Sequence, residues 1–322
     1  MNKEELRQTV KNCALTFFKT VGLFAQAQYK NRNRLRILSY HGVGDDLPPA
    51  LNVDGFMVPE EVFEQQLRVL RDQHYHVMPL VKAVKMLIDE ELPEHAVAIT
   101  FDDGYANNYD VASVLLARYD FPATFFATTG YLDGSDYPWW FPLRAKMAEQ
   151  ARERGMPLDW QTDVVDKEQA LKDSPRADRM QALQDLEITS AWQEGLPKMM
   201  TFDDVEVLAR QGFDIGGHTV HHISFGHETD EVVKSEVCDS LQALRDASIK
   251  PSRCYAYPYG SRSNVRIDEN FFKEQGLDCF VTDEPGLNSC LTHPYLLSRI
   301  GITGNHDALA FEAVVSGFKQ YR

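Results

Sequence analysis

Two places in this 322-residue sequence set metal-binding and proton-moving side chains close together. The first is Ala96-Val97-Ala98-Ile99-Thr100-Phe101-Asp102-Asp103-Gly104-Tyr105, an apolar run that stops at two adjacent carboxylates and a glycine. It reads as a buried strand of a parallel sheet. Side chains alternate across a strand, so Asp102 and Asp103 are predicted to diverge where it ends. One carboxylate can then hold a metal ion while the other moves a proton. Gly104 permits a sharp turn and the close approach of a ligand. The second place is Gly216-Gly217-His218-Thr219-Val220-His221-His222. Imidazoles four residues apart share a face in a helix or tight turn, so His218 and His222 can reach one ion. A carboxylate completes three protein ligands and leaves positions open, the form of a catalytic site, and imidazole suits zinc and other late divalent metals. Each stretch alone has a silent alternative, a solvated Asp-Asp-Gly turn or a polar loop with incidental histidines.

Elements that could position these residues follow from periodicity. Strands are predicted over residues 36–43, ending in a His41-Gly42 turn, and over 77–80, 96–101, 123–128, 213–217, 253–257, 279–282 and 296–302. Helices are predicted over 59–72, 81–90, 111–119, 230–247, 268–275 and 308–318. Strand–helix–strand spacing implies βαβ units and a parallel sheet, so the fold class is α/β. Residues 135 to 198 break that rhythm with Trp139-Trp140-Phe141-Pro142 and a charge-rich helical region, read as an insertion on a barrel loop that covers or shapes a site. Thr201-Phe202-Asp203-Asp204 repeats the letters of the central stretch, but it precedes Val205, Val207 and Leu208. It is therefore a threonine N-cap with first-turn acids and carries no chemistry.

The chain divides into a leading segment, 1–34, and a catalytic unit, 35–322. Residues 4–28 read as one amphipathic helix, followed by a basic collar at Lys30, Arg32, Arg34 and Arg36. A surface helix and an interfacial helix on an anionic membrane both fit. The formal net charge of −15 argues against nucleic acid as a partner, since phosphate binding needs clustered Lys and Arg. Five cysteines, odd in number and without C-x-x-C spacing, suggest buried reduced thiols rather than a disulfide framework. With no secretory signal and no apolar run long enough to span a bilayer, the expected location is cytoplasmic, with peripheral contact at the inner membrane face as the variant.

Three motifs in order, Thr100-Phe101-Asp102-Asp103-Gly104, His218-Thr219-x-x-His222 and Tyr257-Pro258-Tyr259-Gly260, resemble those of the NodB-type polysaccharide deacetylases, carbohydrate esterase family four. Ser39-Tyr40-His41-Gly42-Val43 and Phe63-Glu64-Gln65-Gln66-Leu67 resemble the subgroup acting on N-acetylated exopolysaccharides. The resemblance spans about residues 35–305. It implies a distorted (β/α)7 barrel and metal-dependent hydrolysis of an N-acetyl group from a GlcNAc-type polysaccharide or lipid-linked sugar. Asp103, His218 and His222 would hold the metal, zinc first, with nickel or cobalt as alternatives. Asp102 would be the general base, the backbone N–H of Tyr259 would hold the oxyanion, and Tyr257 and Pro258 would contact substrate.

The sequence departs from the pattern in three ways. Ala256 stands where the family's third motif carries an arginine paired with the base, and Arg253 or Arg299 would have to replace it. The fourth motif's tryptophan is not visible. The Leu-x-x-His of the fifth motif, source of the general acid, has no match, which leaves His306 and His41 as candidates. Two other functions stay open: the same barrel could support an amidase acting on a small non-glycan substrate, and the gaps would suit a catalytically silent glycan-binding module.

Overall fold

The computed structural model describes residues 3–318, except 46, 49, 50, 53, 156, 157 and 159. Its centre is a nearly closed barrel of seven parallel strands: β1 Arg36–Tyr40, β2 Ala96–Phe101, β3 Thr124–Ala127, β4 Asp214–Gly217, β5 Cys254–Ala256, β6 Cys279–Pro285 and β7 Leu297–Gly301. They follow one another as β4-β3-β2-β1-β7-β6-β5. The expected (β/α)7 architecture is therefore present, and the short strand His76–Val77 pairs only with the start of β2.

Alternation along the strands explains the closure. Ala96 and Ala98 of β2, Cys254 and Ala256 of β5, and Cys279 and Val281 of β6 share one buried cluster with Leu297 of β7. These small residues face inward, while Val97, Ile99 and Phe101 face the helical layer. Asp102, in step with Ala98 and Thr100, is thus delivered to the barrel's mouth. The edges β4 and β5 lack a hydrogen-bonded ladder, and they approach closely because Gly216 and Gly217 carry no side chains. A Cβ would lie 2.4 Å from the Phe126 ring at the first position and 2.4 Å from the Tyr255 ring at the second.

Around the barrel lie α1 Lys3–Thr20, α2 Leu23–Lys30, α3 Glu60–Asp72, α4 Leu80–Ile88, α5 Ser113–Arg118, the short α6 Thr129–Leu132, α7 Trp140–Glu153, α8 Asp166–Lys172, α9 Arg176–Asp185, α10 Phe202–Arg210, α11 Asp230–Asp246, α12 Glu269–Glu274 and α13 Ala308–Val315. Helices α7, α8 and α9 occupy the segment that breaks the βα rhythm. The N-terminal segment is two helices rather than one, because Gly22 turns the chain with φ 81°. Leu15 of α1 and Phe24 of α2 pack on Ala310 and Ala313 of α13, and Lys19 reaches Glu312 at 2.6 Å.

The second Thr-Phe-Asp-Asp does cap a helix. The Thr201 hydroxyl accepts from the Asp204 N–H while the Asp204 carboxylate accepts from the Thr201 N–H, a reciprocal pair at the start of α10. The cysteines require a correction. Cys254 and Cys279 form a disulfide, because the β5–β6 register places them directly opposite each other. Spacing along the chain carried no sign of that pairing, and the expectation of reduced thiols fails for these two. Among the described residues no helix is long and apolar enough to cross a membrane.

Candidate active site

The strands run parallel, so their C-terminal ends converge on one side. His41 follows β1, Asp102 and Asp103 follow β2, and His218 follows β4. Tyr259 lies beyond β5, while Asp283 and Arg299 sit near the ends of β6 and β7. All but Arg299 line one cavity of about 380 Å³, within the range of small-ligand sites, roughly 300–1,000 Å³.

The two aspartates separate as the alternation requires. Asp103 adopts φ 73° and turns toward the histidines. Its Oδ1 lies 3.5 Å from His218 Nε2 and 3.2 Å from His222 Nε2, and all three residues are buried. That oxygen has no hydrogen-bond partner among the described residues. His218 Nδ1 is 2.9 Å from the Ala256 carbonyl, so its N–H points there and Nε2 is left as a lone-pair donor. Burial pushes the His222 imidazole down to about 4, which keeps it neutral at ordinary pH. Burial acts on His218 in the same direction, but the nearby Asp103 and Asp102 carboxylates and the Ala256 carbonyl together outweigh it and the net shift is upward. Burial would raise the Asp103 carboxyl; the two imidazoles outweigh it and hold the acid well below the usual range. An orphaned, ionised carboxylate oxygen facing two imidazole nitrogens suits a divalent cation, and nitrogen–oxygen ligation suits zinc, nickel or cobalt alike.

Asp102 meets a different partner. Arg299 Nη1 donates to its Oδ1 at 2.8 Å and Nη2 to its Oδ2 at 2.6 Å. The same guanidinium donates to Asp283 at 2.6 Å, to the Thr282 carbonyl at 2.8 Å and to the Thr100 hydroxyl at 3.3 Å. Burial would raise the Asp102 carboxyl, but the charge and hydrogen bonds of Arg299, with His218 and His41 nearby, together outweigh it and the net shift is downward. Arg253, the other cation considered, is exposed and paired with Asp278. Position 256 and Arg299 both belong to inward-facing rows, so a guanidinium from β7 reaches Asp102 where β5 offers only a methyl.

Tyr259 lies at φ 53°. Its ring contacts His222 at 4.4 Å between centroids and its hydroxyl accepts from Trp139 at 2.9 Å. Its backbone N–H makes no hydrogen bond among the described residues. Tyr257 and Pro258 do not line the cavity. Tyr257 is buried against Phe225 and Phe280, a correction that strand alternation explains: it sits one residue out of phase with inward-facing Ala256. His41 stacks on Phe56 at 4.4 Å inside the cavity. His306 is outside it, its Nδ1 accepting from the Thr303 N–H at 3.0 Å.

The insertion after β3, expected to cover or shape a site, supplies one wall of the cavity, although the sequence did not single out the residues that form it. Trp140 and Arg144 of α7, with Gln169 and Lys172 of α8, line the cavity opposite the strand ends. Arg144 fixes this wall by holding Glu168 at 2.6 Å and the Leu51 carbonyl at 2.8 Å. Asp283 was also passed over, although an acid closing the apolar run 279–282 repeats the signal that singled out Asp102.

The model of the family described as polysaccharide deacetylase matches residues 89–276, more than half the chain and all of β2 to β5. The chain belongs to this family. YxkH of Bacillus subtilis (strain 168), which carries the same family name, is 23% identical over 99% of this chain and 89% of its own length. Among solved structures, the Streptococcus pyogenes deacetylase PplD in complex with acetate superposes with a TM-score of 0.61, at 20% identity over 88% of this chain and 98% of that one. IcaB from Ammonifex degensii gives a TM-score of 0.57 at 17% identity, covering 88% and 97%. These likenesses establish the NodB-type fold, and with the family they make the chain a hydrolase of the carbohydrate deacetylase class.

Proposed function

We propose that the protein removes N-acetyl groups from a GlcNAc-type glycan, using a divalent metal held by Asp103, His218 and His222. The observation that carries this reading is the meeting of that buried triad with the Asp102–Arg299 pair at the mouth of one cavity. A bound cation would supply polarisation of the acetamide carbonyl and a lowered pKa for water at the site. Asp102, kept ionised by Arg299, accepts the proton of the attacking water. The unpaired N–H of Tyr259, a residue that lines the same cavity, donates to the developing oxyanion. His41, in the cavity across from these groups, returns a proton to the departing amine, and Trp140 beside His222 helps keep bulk water from the acetyl group.

The test is acetate release from N-acetylglucosamine oligomers by purified protein, with and without added zinc, nickel or cobalt. Metal-dependent release is expected, reduced at least about 100-fold in Asp102→Asn and His41→Ala, in line with general acid–base contributions. His222→Ala should lose metal as well as activity, whereas His41→Ala should bind metal like the parent. Release unaffected by chelation would overturn the metal reading. Release only from N-acetyl compounds lacking a sugar ring would move the substrate to the small-amide class.

The N-terminal helices support a location at an anionic membrane surface. Leu6, Val10 and Phe17 share an outward face of α1 and are 49%, 60% and 62% exposed. Residues 1–34 carry seven basic and two acidic side chains, against 26 basic and 46 acidic in the remainder; Arg36, expected in the collar, is instead buried in β1 and donates to the Val315 carbonyl. An apolar ridge on a locally cationic segment of an acidic protein suits an acidic bilayer and a lipid-linked glycan. Flotation with vesicles of phosphatidylcholine and phosphatidylglycerol is expected to carry the protein upward, and Phe17→Glu should leave it at the bottom. Flotation equal in both would remove this part of the proposal.

A further inference from the structure

The turn that carries the two imidazoles is not held by regular secondary structure. Thr219 and His222 adopt φ values of 66° and 50°, left-handed conformations that cost on the order of 1–3 kcal/mol each and persist only when their surroundings over-determine them. Much of that determination comes from α11. One oxygen of Glu236 accepts from the N–H of Val220 at 2.8 Å and of His221 at 2.9 Å. Its other oxygen lies 2.6 Å from His221 Nδ1. One turn along the helix, Ser240 meets the Tyr255 hydroxyl at 2.9 Å, and that hydroxyl accepts from the Thr219 N–H at 2.6 Å. From the opposite side, Thr129 and Gly130 donate to the Thr219 and Val220 carbonyls at 3.1 and 2.9 Å.

We propose that Glu236 is a positioning residue for the metal site, its carboxylate fixing the Val220–His221 peptide and hence the spacing of His218 and His222. This inference rests on reading Asp103, His218 and His222 as a metal centre. Two adjacent backbone N–H groups converging on one point form an anion-receptive concavity, and a charged acceptor binds them about twice as strongly as a neutral one. The same contact explains the third histidine of the cluster. His221 is turned onto Glu236 and away from the cavity, so three consecutive candidates in the sequence yield two ligands and one clamp. Neither Glu236 nor His221 lines the cavity, and neither has a part in the proton transfers. Without the carboxylate, two amides lose their acceptor and the turn is free to relax toward ordinary φ, opening the ligand set.

The measurement is zinc and cobalt affinity by chelator competition on the full chain, alongside kinetics at saturating metal. Glu236→Ala is expected to weaken affinity about 10- to 100-fold, the usual effect of losing an outer partner of a metal ligand. KM should stay near the parental value once metal saturates the site. Glu236→Gln, which keeps an oxygen for both N–H groups, should restore most of the affinity. Leu208→Ala, a truncation in the core under α10, controls for general destabilisation. Affinity unchanged in Glu236→Ala, or weakened no more than in Leu208→Ala, would overturn the proposal. Should Glu236→Ala not fold, Glu236→Asp keeps the charge but shortens its reach, and parental affinity in that variant would overturn it equally. A parent protein that binds neither ion would instead bring down the metal reading itself.

Discussion

Arg299 donates two parallel hydrogen bonds to an almost fully buried carboxylate, and the ionisation of Asp102 depends on that contact. Burial favours the protonated acid, the guanidinium favours the carboxylate, and the balance lies below the ordinary value. Asp102 therefore contributes stability above its unfolded pKa, near 3.9, that is lost as pH falls through its lower folded value. In Arg299→Gln the cation is gone and burial remains, so the sign reverses. The folded pKa then exceeds the unfolded one, and stability falls as pH rises from about 4 through the raised value. The acid limb of the pH–rate profile should move up by roughly 1–3 units, and the variant should be less stable by about 3–5 kcal/mol, the cost of stranding one partner of a buried pair. A pH series of kcat/KM with parallel urea titrations reads both effects. An unmoved acid limb would separate Arg299 from the base.

The two Thr-Phe-Asp-Asp copies show what an element adds to identical letters. At 100–103 they end β2, with the first aspartate inside the barrel mouth and the second turned onto the histidines. At 201–204 they open α10, and Thr201 and Asp204 spend their polar atoms on each other's backbone N–H groups. The difference was legible beforehand because the residues that follow the second copy have helical spacing. Thr201→Ala should thus cost about 1 kcal/mol of stability with kcat/KM unchanged, and Asp203→Asn should alter neither by a measurable amount. Asp102→Asn, the corresponding change in the first copy, should have the converse effect, lowering acetate release at least about 100-fold whatever the melting temperature. Acetate assays beside thermal melts distinguish the two, and loss of activity in Thr201→Ala at parental stability would contradict the assignment.

At the scale of the molecule, what the sequence revealed and what it concealed divide by distance along the chain. Asp102, Asp103, His218 and His222 stood out because each pair is local and ends a strand-like run. Arg299 could be named only as a candidate, since the facts that bring it to Asp102 are strand order and inward phase, 197 residues apart. The Cys254–Cys279 pairing and the particular residues that α7 and α8 turn into the cavity were hidden for the same reason, as register and helix orientation leave no local signature. The metal triad is itself such a long-range feature. Asp103 belongs to the end of β2 and both histidines to the turn after β4, so a cation shared among them would tie together two strands separated by β3. Binding confined to the folded state stabilises by mass action, about 2.7 kcal/mol at a hundred times Kd. With an unfolding entropy of about 2.1 cal/mol/K per residue, that corresponds to a rise of about 4 °C for a chain of this length. Calorimetry with zinc at that excess should show the rise, chelator should reverse it, and Asp103→Asn should abolish it. Because the ligands must give up their protons to bind, the increment should shrink as pH falls through the raised range of His218, and further toward about 4, where His222 takes up its proton. A melting temperature indifferent to zinc in the parent would mean that the triad does not close the site with metal.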